Sequence, residues 1–390
     1  MRLMHRASVP SVDAAGTDGF QVAMTSSPFA PSRRAFVAGS LVLASSPAAA
    51  VSRKPDRLIA GTYASRKGPG LVPMIATPEG WTAQAPLDAI RNASFGVRAP
   101  NGVRYLLEEQ TEGKLGIYGA AMQLLGSVST LGADPCHAAL SPDGRTLAIA
   151  NYSSGSVTLW RLDGKTGLPV GEAQKIAHQG SGPNQRRQTE PHAHWVGFAQ
   201  GGRVLHAVDL GADAVFAHRV NLATGRVTES TTAYRAAPGS GPRHLAWHPR
   251  LPIAYLFAEL ANTVTLLRAD RDGSFTGGET LATLPAGFDG PSSGAHIAVN
   301  RAGTRLYLSN RGHDSIAVFA IARDGGPSLL QHVSCGGHWP RLFLLREDRG
   351  ELLVANERSG NVAVLRVQQN GKLGKPIRGV EIPGVAFLSE

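Results

Sequence analysis

The chain has 390 residues, with 39 lysines and arginines against 29 acidic side chains, a formal net charge of +10 and two cysteines. So few cysteines exclude a disulfide-stapled scaffold, and the lack of lysine-rich runs interleaved with aromatics excludes a nucleic-acid binder. With 46 glycines, 25 prolines and no helical periodicity past the N-terminus, the composition predicts an all-β protein of short strands and tight turns.

Residues 1–50 read as an N-terminal extension carrying an export signal. Arg33, Arg34 and Phe36 lead into an uncharged stretch over 35–52, and Ala48, Ala49 and Ala50 supply the small residues of a cleavage site. Paired arginines before a mildly apolar segment have the form of a twin-arginine signal, with Val37 and Ala38 where Leu and Lys are usual. Met24 offers a second start closer to the arginines. The segment is too short to span a membrane. The expectation is a periplasmic or secreted protein (cytoplasmic if the signal is unused), with the export machinery as partner and no stable membrane anchor after cleavage.

The remainder, 51–390, reads as one domain. Residues 57–63 have the form of a second strand and 70–75 of a third, while the first strand of that unit is expected from the C-terminal residues 382–388. From residue 93 onward one phrase recurs. His137 opens an apolar strand, Pro142-Asp143-Gly144-Arg145 makes a turn, residues 146–150 return, and Asn151 closes the hairpin. The same phrase runs from His194 to Asp209, His244 to Glu259, His296 to Asn310 and Leu342 to Asn356, with a fainter copy from Phe95 to Glu109. The register residues stand 42, 57, 50, 52 and 46 positions apart, a spacing that suits units of four short strands. Six units plus the split one predict a seven-bladed β-propeller, with six or eight left open because the first blade is the least legible.

In a hairpin the first residue of one strand and the last of its partner lie at one end, so the register residues should gather on a single rim. His137, His192, His194, His244 and His296 fall there, flanked by Arg243, Arg311 and Arg341, and by Glu109, Asp209, Glu259, Asn151 and Asn356. A cationic rim of this kind suits an anionic or polar small molecule. Cys136 and Cys335 sit in units far apart around the ring, beyond the roughly 7 Å that a disulfide tolerates between Cα atoms, and are expected to be free thiols. No zinc or calcium motif is present, and neither a metal nor a cofactor is expected.

The phrases Glu190-Pro191-His192-Ala193-His194, Pro242-Arg243-His244-Leu245 and Phe257-Ala258-Glu259-Leu260 resemble the seven-bladed propeller lactonase family. That family takes in the propeller-type 6-phosphogluconolactonases and the carboxy-cis,cis-muconate cyclases. The resemblance implies that water opens a sugar lactone in the central pocket, with a catalytic group drawn from His192, His194, Arg243 and Glu259. Glu259 or His194 would be the base and Arg243 the oxyanion partner. Substrate contacts would come from His137, Asn151, Asp209, His244, His296, Arg311, Arg341 and Asn356, with Arg311 or Arg341 gripping a phosphate or carboxylate. The alternatives are a muconate-type lactonizing cyclase and a non-enzymatic binding propeller. A sugar lactone is the expected small-molecule partner, and the protein is expected to act as a monomer.

Overall fold

A strand such as Thr146–Asn151, buried at every position, needs a second sheet against either face. In a computed structural model that describes residues 56–87 and 90–390, each strand of this kind finds one. The expected export signal lies outside the described residues. Twenty-eight strands form seven four-stranded antiparallel sheets. The innermost strands of the sheets touch one another in a closed cyclic order. The chain is thus an all-β seven-bladed β-propeller, as its repeat predicts. The helical content of the described residues is one 3-10 turn, Ala64–Arg66.

Blade 1 is built from both ends of the chain: Val385–Ser389 pairs with Arg57–Thr62, with Ala60 opposite Leu388 and Gly61 opposite Phe387. The inner strands of blades 2 to 7 are Ala93–Arg98, Pro135–Leu140, Ala193–Phe198, Pro242–Trp247, Ser293–Val299 and Pro340–Arg346. Apolar clusters fill the spaces between neighbouring sheets. Leu58, Leu71 and Leu353 pack where blades 7 and 1 meet, and Tyr255, Phe257 and Phe319 pack between blades 5 and 6. The turn from second to third strand ends on a left-handed residue at Gly155, Asp213, Asn262, Asp314 and Gly360, side chains that tolerate positive φ.

One irregularity recurs in every blade and positions the site. The ladder between first and second strand slips between Ala93 and Phe95, Pro135 and His137, Ala193 and Trp195, Pro242 and His244, Gly294 and Ile297, and Pro340 and Leu342. Blade 1 slips at the matching place, Gly61 to Thr62. An extra residue in one strand bends it and re-aims its side chain. The residues so placed include Ser94, Cys136, His194, Arg243, His296 and Arg341.

Candidate active site

Two positions per blade emerge at the same end of the propeller: the bulged residue of the inner strand, and the residue just past the last paired position of the second. In blade 5 these are Arg243 and Glu259. The Glu259 N–H donates to Gly241 O at 2.7 Å, which closes the hairpin and brings its side chain beside the bulge. The same closing bond places Tyr63 on Gly384 O, Glu109 on Asn92 O, Tyr152 on Asp134 O, Leu210 on His192 O and Glu357 on Trp339 O. Arg311 follows Asn310 in blade 6.

Glu259 is the hub. Its Oε2 lies 3.0 Å from Arg243 Nε and 2.8 Å from Arg311 Nη2, and its Oε1 accepts from Arg187 Nη2 at 2.8 Å. His194 Nε2 stands 3.9 Å from Oε2. Arg311 Nη2 also donates to Gly294 O at 2.7 Å, and Arg187 Nη2 to the Tyr152 hydroxyl at 3.0 Å. Arg243 Nη1 donates to His244 Nε2 at 3.1 Å and to Ala295 O. Among the described residues no partner holds Arg243 Nη2.

Burial raises the Glu259 pKa, but Arg311 and Arg243, with His194 and Arg187, outweigh it and hold the carboxyl well below its usual range. Burial and the Arg243 charge push His194 well below 6.5, against the pull of Glu259, so its imidazole is neutral. His137 and His244 are lowered the same way, and His296 is pushed down to about 3, by burial first and Arg243 next. Burial and Arg311 also lower Arg243, although a guanidinium stays charged in proteins. The wall thus combines three cations, one carboxylate and a neutral imidazole. That set suits a developing oxyanion and repels a hard cation.

The remaining histidines stand behind this wall. His137 stacks on Phe95 at 4.1 Å, and His244 meets His137, His194 and His296 edge-on at 5.3, 5.4 and 5.5 Å. Since His244 Nε2 accepts from Arg243, its proton is assigned to Nδ1, which faces His296 Nδ1 at 3.4 Å. His192 lies at the edge, stacked on Tyr152 at 4.5 Å with Nδ1 3.1 Å from Tyr152 O.

Six residues expected at the substrate are elsewhere: His137, His244 and His296 back the wall as just described, and three more lie between blades. Asn151, Asp209 and Asn356 are fully buried. Asn151 Nδ2 donates to Thr130 O at 3.2 Å and Asn356 Nδ2 to Cys335 O at 3.1 Å, each tying its blade to the one before. Asp209 Oδ2 pairs with His178 Nδ1 at 2.8 Å, while Oδ1 accepts from His192 N and Ala212 N. The physical reason is strand alternation: consecutive side chains point to opposite sides, so the residue after each of these is the one at the mouth. Tyr152 and Glu357 were missed for that reason. Arg187, which the sequence shows only as half of the short Arg186-Arg187 pair, comes from a long loop with no counterpart in the repeat.

A second cluster occupies the wall formed by blades 7, 1 and 2. Arg341 lies 3.5 Å from Glu109 and 3.8 Å from Glu357, with its guanidinium 4.8 Å from the Tyr63 ring centre. The Tyr63 hydroxyl, kept protonated chiefly by burial, donates to Glu109 Oε2 at 2.6 Å. Arg66 approaches Glu357 at 3.6 Å from the solvent side. Arg341 is close enough to lower the pKa of both Arg243 and Arg311, so the two clusters share one field. Both cysteines are free and buried. Cys136 Sγ sits 3.6 Å from His194 Nδ1.

Fold and site together define a seven-bladed propeller with a cationic, imidazole-bearing cluster where its inner hairpins end. The family model described as "Lactonase, 7-bladed beta-propeller" matches residues 57–389, and the chain belongs to that family. It is a lactonase by class. A 6-phosphogluconolactonase of Bacillus subtilis is 37% identical over 257 residues, 65% of this chain and 72% of that one. Among solved structures, a periplasmic gluconolactonase of Pseudomonas aeruginosa aligns with a TM-score of 0.80 at 28% identity, over 86% of this chain and 98% of that one. A putative 6-phosphogluconolactonase of Bacteroides fragilis aligns at 0.76 and 26%, over 87% and 98%. Among the described residues no helix is long and apolar enough to cross a membrane.

Proposed function

We propose that the protein hydrolyses a sugar lactone by direct attack of water, with His194 as the base and Arg243 as the principal oxyanion donor. The observation that carries this reading is the unequal state of the two candidate bases. Glu259 is gripped by three guanidiniums at 2.8 to 3.0 Å, so it is a poor proton acceptor. His194 is neutral and stands beside it. A water held by His194 Nε2 loses a proton to the imidazole as its oxygen bonds to the lactone carbonyl carbon. Charge moves to the carbonyl oxygen, where Arg243 Nη2 meets it, while Glu259 stabilises the imidazolium that forms. Collapse then breaks the ring C–O bond, and the leaving oxygen takes the proton back from His194. The open hydroxy acid gives its carboxyl proton to bulk water.

In this scheme Glu259 organises the arginines. Arg311 and Arg187 hold Glu259 in place, and His244 fixes Arg243 from behind. The export signal read over residues 1–50 would place the reaction in the periplasm or outside the cell, with the protein acting as a monomer. The test is background-corrected hydrolysis of glucono-1,5-lactone by wild type and His194→Gln. General-base catalysis is worth on the order of 10²–10⁴ in rate, and a loss of that size in kcat is expected. Undiminished kcat in His194→Gln would remove His194 from the base role.

A further inference from the structure

The two Arg–Glu pairs at the mouth are built alike and held differently. Arg341 stands to Glu357 in blade 7 as Arg243 stands to Glu259 in blade 5, a bulged residue facing the first residue past the partner strand. Every oxygen of Glu259 has a cation within 3.0 Å. The oxygens of Glu357 have cations only at 3.6 and 3.8 Å, and no hydrogen bond reaches either of them among the described residues. Yet Glu357 is only 9% exposed. A carboxylate on so buried a residue normally finds donors, and this one has no cation closer than 3.6 Å. A second orphan stands at the matching register position of blade 2. Ser94 is the bulged residue of blade 2, in the hairpin that ends at Glu109, and its Oγ is buried with no partner.

We propose that Glu357, with Glu109 and Ser94, forms a hydroxyl-binding subsite that selects an uncharged polyhydroxy lactone over its phosphorylated form. The inference rests on the lactonase reading above and names the substrate class within it. Carboxylates accept hydrogen bonds and donate none, so their natural partners in a sugar are its hydroxyl groups. A phosphate brings only acceptors and about two negative charges at neutral pH, and here it would meet two carboxylates. The walls also differ in balance. Around Glu259 three guanidiniums face one carboxylate, while on the opposite wall Arg341 and the half-exposed Arg66 face Glu109 and Glu357. A lactone is thereby oriented, with its carbonyl toward Arg243 and its hydroxyl-bearing carbons toward Glu357.

The experiment compares kcat/KM for glucono-1,5-lactone, its 6-phosphate and δ-valerolactone, which carries no hydroxyl. Wild type should prefer the unphosphorylated sugar lactone. Glu357→Gln, which keeps the shape and removes the charge, should narrow that preference by about tenfold, as expected for one charged hydrogen bond. The change should come through KM, with δ-valerolactone turnover unaltered. Glu109→Gln and Ser94→Ala should shift the preference in the same direction and by less. A variant that had simply lost its fold would lose δ-valerolactone turnover too, and the remaining variants then decide. Turnover of all three lactones with a preference unmoved by any substitution overturns the subsite and leaves the lactonase reading standing. Turnover of none by wild type overturns both.

Discussion

Arg243 Nε lies 3.0 Å from Glu259 Oε2, the two side chains 4% and 5% exposed, one from a bulge and the other from the end of the paired strand. The ion pair is therefore a product of hairpin geometry. Removing the carboxylate would strand Arg243 and Arg311 as buried cations, whereas removing Arg243 would leave Glu259 with two partners.

Glu259→Gln should accordingly be the more costly change for the fold. Breaking a buried pair from the side that leaves charge uncompensated costs about 3–5 kcal/mol. A large drop in the denaturant midpoint is expected for Glu259→Gln and a smaller one for Arg243→Ala. Equal midpoints in the two variants would mean that Glu259 is not the hub of the network.

The fold was largely legible because each hairpin repeats a register that the eye can follow from His137 to Leu342. Blade 1 is the least legible, and it is readable only because residues 57–63 lack a first strand and the chain end supplies one. The pocket was only half legible. His194, Arg243 and Arg341 are bulged residues within the repeated phrase, but the strand-end position lies one residue later than Asn151, Asp209 and Asn356 suggest. A single step along a strand exchanges its two sides, so the polar residues that close the repeat are buried inter-blade ties, and the residues after them, Tyr152 and Glu357, face the site. Arg187 had no repeat to announce it.

The neutral imidazole of His194 fixes the shape of the pH profile. With its pKa held well below 6.5, kcat/KM should be level from about pH 8 down through 6.5 and fall only in more acid buffer. An acid limb centred at 6.5 would indicate a base with the ordinary histidine pKa.

Stability should respond to the same burial. His137, His194, His244 and His296 have folded pKa values below 6.5, so the unfolded chain binds protons first as pH falls. Their contribution is fully present above 6.5 and declines below it, by about 1.4 kcal/mol per pH unit for each histidine. Glu259, lowered from 4.5, contributes above that value and loses its share only in stronger acid, as pH falls through its folded pKa. Denaturant midpoints should therefore drop between pH 7.5 and 5.5 by an amount that His137→Gln and His296→Gln reduce. A midpoint independent of pH over that window would show that folding leaves the pKa values of these rings unshifted.

Ring closure depends on a short strand. Val385–Ser389 completes blade 1, and Arg346 binds Asp56 at 2.7 Å and Glu390 at 2.8 Å beside the Trp81 ring. Ending the chain at residue 384 exposes Leu58, Ile59 and Ala60 on an open edge. Broadened unfolding and aggregation at low temperature are the expected results. A truncated protein with an unchanged transition would mean that blade 1 stands on its own three strands.

Whether the Arg243–Glu259–His194 cluster opens a lactone is decided by pH-stat hydrolysis of glucono-1,5-lactone. Rates would be measured at slightly acid pH, where the spontaneous reaction is slow, for wild type and for Arg243→Ala shown by circular dichroism to be folded. Turnover well above buffer is expected in wild type, with a fall of about 10²–10³ in kcat when the oxyanion donor is removed. Wild-type turnover equal to buffer, or full activity in the folded Arg243→Ala protein, would contradict that expectation.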